Sequence, residues 1–277
     1  MKIVRYLFQW LLDRFYSNKP SSLRTVDLGN YSQIVWINEN LGRKIHLGIF
    51  EKDETNLFKS HIKSGDTILD VGANIGYFTS LFAHLVGAEG KVIAIEPIPE
   101  NSKLIDLNCL INRYQGRVIN VHSAVGDENS SGSIKFNRTS ETQCGFVDTG
   151  SDRTIGDRYK PLLNNIIEVP IRSVDSILQE KGINGIDVLK MDIEGFEYKA
   201  LLGMKSLLEN ESSKPRLMLI ELFDHHLNHY GDSVEMVISF LQNYNYSPFY
   251  LNKGKLVVLT PDLINKKSNI FFKINKL

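Results

Sequence analysis

The sequence predicts an α/β fold in which a mostly parallel sheet carries helices on both faces. Three observations predict it. From residue 67 onward, short apolar runs alternate with stretches of helical periodicity. The runs are apolar throughout rather than alternately polar, as strands covered on both faces are. The first of them, Thr67–Val71, runs straight into a glycine-containing loop that opens a helix.

In chain order, Met1–Tyr16 places Ile3, Val4, Leu7, Phe8, Leu11, Leu12 and Phe15 between Lys2, Arg5, Gln9 and Asp13, the pattern of an amphipathic helix. Gln9, Asp13 and Arg14 break the apolar run too early for a signal peptide or a membrane span. The helix is expected to pack on its own domain or on a second copy in a homodimer. Its basic residues leave peripheral contact of residues 1–16 with the inner membrane face as the alternative. Asn18–Ser22 reads as a linker, and residues 26–50, with weak alternation at Ile34, Trp36, Ile45, Leu47 and Ile49, as a small strand pair. Residues 1–50 therefore form an N-terminal extension and residues 51–277 the main domain.

Within that domain strands are expected at Thr67–Val71, Lys91–Glu96, Arg117–His122, Asp187–Asp192 and Arg216–Glu221. Helices are expected at Tyr77–Val86, Pro99–Asn112, Phe196–Leu208 and Ser233–Asn243. Ser247–Leu251 and Leu256–Leu259 read as an antiparallel hairpin that completes a seven-stranded sheet. Residues 126–166 break the rhythm and are expected to be an insertion near the substrate side, with a strand pair and a disordered connection as the alternative.

Composition narrows the function classes. The 277 residues are 42% hydrophobic and 23% charged, which is globular, and 32 basic residues balance 32 acidic ones. A neutral chain lacks the basic excess of a nucleic-acid-binding protein. Its 2 cysteines have no metal-binding spacing and suit a reducing, cytoplasmic setting.

The most informative motif is Asp70-Val-Gly-Ala-Asn-Ile-Gly76. Gly72 and Gly76 permit a tight turn and close approach. A dinucleotide fingerprint would have glycine where Asn74 stands. Asp70 at the strand end repels phosphate and suits an ammonium or sulfonium ligand. Glu96 ends the next strand, where a carboxylate can hold ribose hydroxyls. The loop resembles the first motif of the class I, Rossmann-like S-adenosylmethionine-dependent methyltransferases. That resemblance implies that Asp70, Gly72 and Gly76 hold the methionine moiety, Glu96 the ribose, and Ser123 and Ala124 the adenine, with Asn74 and Phe78 against the cofactor. Gly65–Thr79, Ala124–Asp127, Ser173–Ile177 and Lys190-Met-Asp-Ile-Glu-Gly-Phe-Glu197 are together similar to the FkbM family. The similarity implies O-methylation of a hydroxyl on a sugar, glycolipid or natural-product acceptor.

Methyl transfer to an alcohol needs a positioned base. Asp192 ends an expected strand at its ligand-binding edge, and strand alternation would place Glu194 on the same side. The two could act as base and orienter, bind a divalent cation, which is not expected to be required, or form a structural cluster that opens the next helix. Glu221–His226 ends the next strand, and His226 is a third candidate base. Adjacent histidines on a helix diverge, so only one of His225 and His226 is expected to face the site. Two other classes compete: a nicotinamide-dependent oxidoreductase, opposed by Asp70 and Asn74, and a non-catalytic binding or assembly module retaining the methyltransferase fold.

Overall fold

The computed structural model describes residues 23–37, 40–136, 144–146 and 166–275. The amphipathic segment at 1–16, the linker at 18–22 and the middle of the 126–166 stretch lie outside the described residues.

From the N-terminal side, β1 (Leu23–Asp27) and β2 (Ser32–Trp36) pair antiparallel and are followed by α1 (Asn40–His46) and α2 (Lys52–His61). Strands and helices then alternate: β3 (Thr67–Val71), α3 (Tyr77–Leu85), β4 (Lys91–Ile95), α4 (Pro99–Asn112) and β5 (Val118–Val121). Next come β6 (Ala124–Val125), β7 (Ser130–Phe136), β8 (Cys144–Phe146) and β9 (Ile166–Arg172), then α5 (Val174–Lys181) and β10 (Val188–Met191). The chain continues through α6 (Glu197–Leu202), α7 (Lys205–Glu209), β11 (Leu217–Glu221), α8 (Asp224–Leu227) and α9 (Val234–Gln242). It closes with β12 (Tyr246–Asn252), β13 (Lys255–Val258) and β14 (Asn269–Ile274).

The main sheet has the order β13-β12-β14-β11-β10-β3-β4-β5. The five strands from β11 to β5 are mutually parallel. Strand β14 is antiparallel to both β11 and β12, so β12 runs with the central strands and β13 returns along the edge. Among the described residues the sheet therefore has 8 strands where the sequence reading counts seven. The additional strand is β14, whose Ile270 and Phe272 enter one core and Phe271 the other.

Alternation places the two cores. Leu69, Val71, Leu189 and Met191 pack beneath α5, α6 and α9, whereas Ile68, Val188 and Leu219 pack beneath α2, α3 and α4. Phe58, Phe78 and Phe82 interlock on the second face, with the Phe58 and Phe82 rings 4.9 Å apart and edge-on. Each such fully buried side chain contributes about 1.5–3 kcal/mol.

Three stretches differ from expectation. Residues 40–46, read as part of an alternating strand region, form α1, because Leu41 and Ile45 at helical spacing are the buried pair. The helix expected over Phe196–Leu208 is broken between α6 and α7, where Gly203 comes so close to Gly126 that a Cβ would stand 2.0 Å from its carbonyl oxygen. Strands β7, β8 and β9, with β6, build a second small sheet within and beside the stretch expected to be an insertion.

The β1–β2 pair is fastened to α4 by side chains acting as strand partners. Asn112 exchanges hydrogen bonds with the main chain of Ser32 at 2.8 and 2.7 Å, and Asn108 accepts from the Ile34 N–H at 2.6 Å. Gln33 donates to the Ile75 carbonyl at 2.9 Å, tying the extension to the loop after β3.

Candidate active site

The carboxyl ends of β3, β4, β5, β10 and β11 open into one cavity of about 730 Å3, with α1 and the start of α2 as a further wall. This is the sheet edge at which open α/β proteins bind ligands, and the size suits a drug-sized molecule.

At one pole stands Glu96. Its Oε2 accepts from the Asn74 N–H at 2.8 Å and its Oε1 from the Ile98 N–H at 2.9 Å. Burial pushes its carboxyl up to about 7 against these hydrogen bonds. Asn74 is left-handed at φ 52, which turns its N–H toward Glu96. Ser123 and Ala124 border the same pole. Ser123 is 0% exposed, and its Oγ has no protein hydrogen-bond partner.

Two of the three residues that the resemblance assigns to the methionine moiety lie off the cavity wall. Asp70 is 0% exposed and lies beneath the cavity wall, accepting from Thr79 Oγ1 at 2.6 Å. Burial raises its pKa. Gly76 is also absent from the cavity wall; its Cα faces Ile105 of α4, and a Cβ would meet Cγ1 at 3.0 Å. Gly72 does line the cavity, yet its bare Cα is required by the Asp192 carbonyl, 1.9 Å from where a Cβ would stand. Phe78 touches the cavity with little of its surface and packs mainly among Phe50, Phe58 and Phe82.

The opposite pole gathers the residues of the second motif. Strand β10 ends at Met191, so Asp192 and Glu194 are held by a turn rather than by strand alternation, with Glu194 left-handed at φ 57. Glu197 clasps that turn, its Oε1 accepting from the Ile193 and Gly195 N–H groups at 3.2 and 3.1 Å. Gly195 lies against the His226 main chain, 2.7 Å from its carbonyl to a notional Cβ. This close approach brings His226 Nδ1 within 3.1 Å of Glu194 Oε2. Burial, then Asp192 and Glu197, pushes the Glu194 carboxyl up to about 8. Burial and His225 lower the His226 pKa.

Lys190 is almost fully buried between the poles, with Nζ 3.5 Å from Asp192 Oδ2 and 5.3 Å from the Phe78 ring centre. Burial acts to lower its pKa, but Asp192, Asp70, Glu51 and Glu221 outweigh that and hold the ammonium charged. Both His225 and His226 border the cavity, their rings 4.0 Å apart, because α8 is a single short turn at its rim. Glu51 and Glu221 were not foreseen as site residues. Glu221 had a signal, since it ends an apolar strand as Glu96 follows one. Glu51 had none, because it follows a stretch read as strand. Among the described residues no cluster of three side chains is arranged to ligate a metal, and no helix is long and apolar enough to cross a membrane.

A strand order with one antiparallel strand inserted beside β12, and a cavity at the ends of β3 and β4, define the class I methyltransferase fold. Residues 70–248 match the family description "Methyltransferase FkbM domain". The chain belongs to the FkbM methyltransferase family. The 31-O-demethyl-FK506 methyltransferase FkbM of Streptomyces tacrolimicus is 27% identical over 201 residues, 66% of this chain and 76% of that protein. The hexuronic acid methyltransferase AglP of Haloferax volcanii is 26% identical over 160 residues, 58% of this chain and 59% of that protein. Among solved structures, a tRNA m1G37 methyltransferase from M. jannaschii is similar with a TM-score of 0.46 at 11% identity, covering 94% of this chain and 59% of its own.

Proposed function

We propose that this chain transfers a methyl group from S-adenosylmethionine to a hydroxyl of a sugar, glycolipid or natural-product acceptor. One observation carries the proposal: a single cavity joins Glu96 and the unpartnered Ser123 hydroxyl at one pole to the Glu194–His226 pair at the other. The first pole fits the nucleoside. Glu96 keeps acceptor capacity for ribose hydroxyls, and Ser123, Ala124, Asn74 and Phe78 supply contact surface. The bound cofactor supplies an electrophilic methyl group on a sulfonium.

The second pole prepares the acceptor. With Glu194 ionised, its contact to Nδ1 keeps the imidazole proton on that nitrogen and leaves Nε2 of His226 to take the hydroxyl proton. His226 is then the base and Glu194 the positioning residue, a division of labour that differs from a base role for Asp192 or Glu194. Asp192, held by Lys190, faces the acceptor as a hydrogen-bond acceptor. The pair is competent once its extra proton has left, so activity rises with pH toward about 8. Buried, free Cys109 and a cofactor made in the cytosol support a cytoplasmic location.

The test is transfer from methyl-labelled S-adenosylmethionine to a panel of hexuronic acids, neutral sugars, glycolipids and polyketide alcohols, read by mass spectrometry. Label should appear on an acceptor oxygen with the intact chain, and His226→Ala should lower turnover by about 10²–10⁴-fold. Label on nitrogen or carbon alone, or full turnover by the variant, would overturn the proposal.

A further inference from the structure

The loop after β3 brings no charged side chain to the cavity wall. Of Asp70, Gly72 and Gly76, which the resemblance assigns to the methionine moiety, only Gly72 is part of the cavity surface. An α-amino acid needs an anion for its ammonium and a cation for its carboxylate. Both charges reach the cavity from a segment outside the family-matched region, which begins at residue 70.

That segment is built for the purpose. The Ile49 and Phe50 N–H groups both donate to the Lys44 carbonyl, at 3.0 and 3.3 Å, folding the chain back after α1 so that Lys44 and Glu51 share one wall. Glu51 is left-handed at φ 36, a costly backbone state for a side chain with a Cβ. It stands at the N-cap of α2 yet makes no capping hydrogen bond with its side chain. The carboxylate instead lies in the field of Lys190 and Asp192, which line the same cavity. Burial pushes it up to about 7, a penalty that a neighbouring cation relieves. Strain, an unused cap and burial of a carboxyl at one cavity-lining residue are together a reason to look for a ligand group. Gln33 to the Ile75 carbonyl holds the extension and the loop after β3 in register, so this wall is fixed relative to Glu96.

We propose that Glu51 binds the ammonium and Lys44 the carboxylate of the cofactor's amino-acid tail, so that the N-terminal extension completes the cofactor site. This rests on the S-adenosylmethionine reading above. The two can be separated by calorimetric titration of the full chain with S-adenosylhomocysteine and with methylthioadenosine, which lacks the amino-acid tail. The intact chain should bind S-adenosylhomocysteine more tightly than methylthioadenosine. Glu51→Gln and Lys44→Met should each weaken S-adenosylhomocysteine by about tenfold or more, as expected for a lost charged hydrogen bond. Both variants should keep their methylthioadenosine affinity within about twofold, which also reports that the fold is intact. Unchanged S-adenosylhomocysteine affinity in both variants, or equal losses for both ligands, would overturn the assignment. If the intact chain binds methylthioadenosine but gains nothing from the tail, this inference falls and the cofactor reading stands. If it binds neither ligand, both fall.

Discussion

Replacing Gly72 with alanine tests how the loop after β3 is locked to the turn that carries Asp192. At φ 74 the backbone is left-handed, and a side chain there costs roughly 1–2 kcal/mol. Gly182, at φ 65 with nothing within 4 Å of an added Cβ, carries that conformational cost alone. At Gly72 the added Cβ would stand 1.9 Å from the Asp192 carbonyl oxygen and 2.9 Å from its carbon. Main-chain atoms have no rotamer by which to escape, so the loop and the strand end must separate. Overpacking of this kind costs about 1–3 kcal/mol more. Gly72→Ala should therefore lose about 2–5 kcal/mol and Gly182→Ala about 1–2 kcal/mol. In a domain of this size each kcal/mol lowers Tm by about 2–4 °C, so scanning calorimetry resolves the two. Gly72→Ala should also weaken S-adenosylhomocysteine binding, because the displaced groups line the cavity, whereas Gly182→Ala should not. Equal Tm losses for the two variants would refute the contact.

Four further outcomes are expected. Glu96 and Glu197 are held up to about 7 and Glu194 to about 8, each chiefly by burial, while their unfolded counterparts ionise near 4.5. The native state therefore holds more protons across that interval, and thermal melts from about pH 5 to about pH 9 should show falling stability; a rise would contradict the burial of these groups. Glu51→Gly removes the left-handed penalty and should raise Tm by a few degrees, with a loss of S-adenosylhomocysteine affinity; a drop in Tm would show that the side chain stabilises the fold. Glu194→Gln should flatten the rise of kcat/KM near pH 8 and lower kcat while leaving the cofactor Kd unchanged, and an unaltered pH profile would remove Glu194 from the pair. Proton transfer to His226 requires no cation, so chelation should leave turnover intact; loss restored by magnesium would assign Asp192, Glu194 and Glu221 to a cation instead.

The strands and the loop after β3 were legible because their signals are local. Thr67–Val71 and Lys91–Ile95 are short apolar runs with an acidic residue at or just past the end, and Asp70–Gly76 is a contiguous turn motif. Strand β14 was missed although Ile270, Phe271 and Phe272 are fully buried, because the hairpin of residues 247–259 was read as completing the sheet. The roles inside the motifs were less legible. Whether Asp70 touches a ligand or props the loop through Thr79 depends on which way one side chain turns. The Glu194–His226 contact arises from Gly195 packing on the His226 main chain, a tertiary approach between two loops that no sequence spacing encodes. Glu51 belongs to a wall assembled by α1, whose short helical pattern is easily taken for strand alternation.

Calorimetric titration of the intact chain and Glu96→Ala with S-adenosylmethionine, beside a nicotinamide dinucleotide, tests the central claim most directly. One S-adenosylmethionine should bind per intact chain, Glu96→Ala should lose about tenfold or more in affinity, and the dinucleotide should not bind. Binding of the dinucleotide in its place, or S-adenosylmethionine affinity indifferent to Glu96, would contradict it.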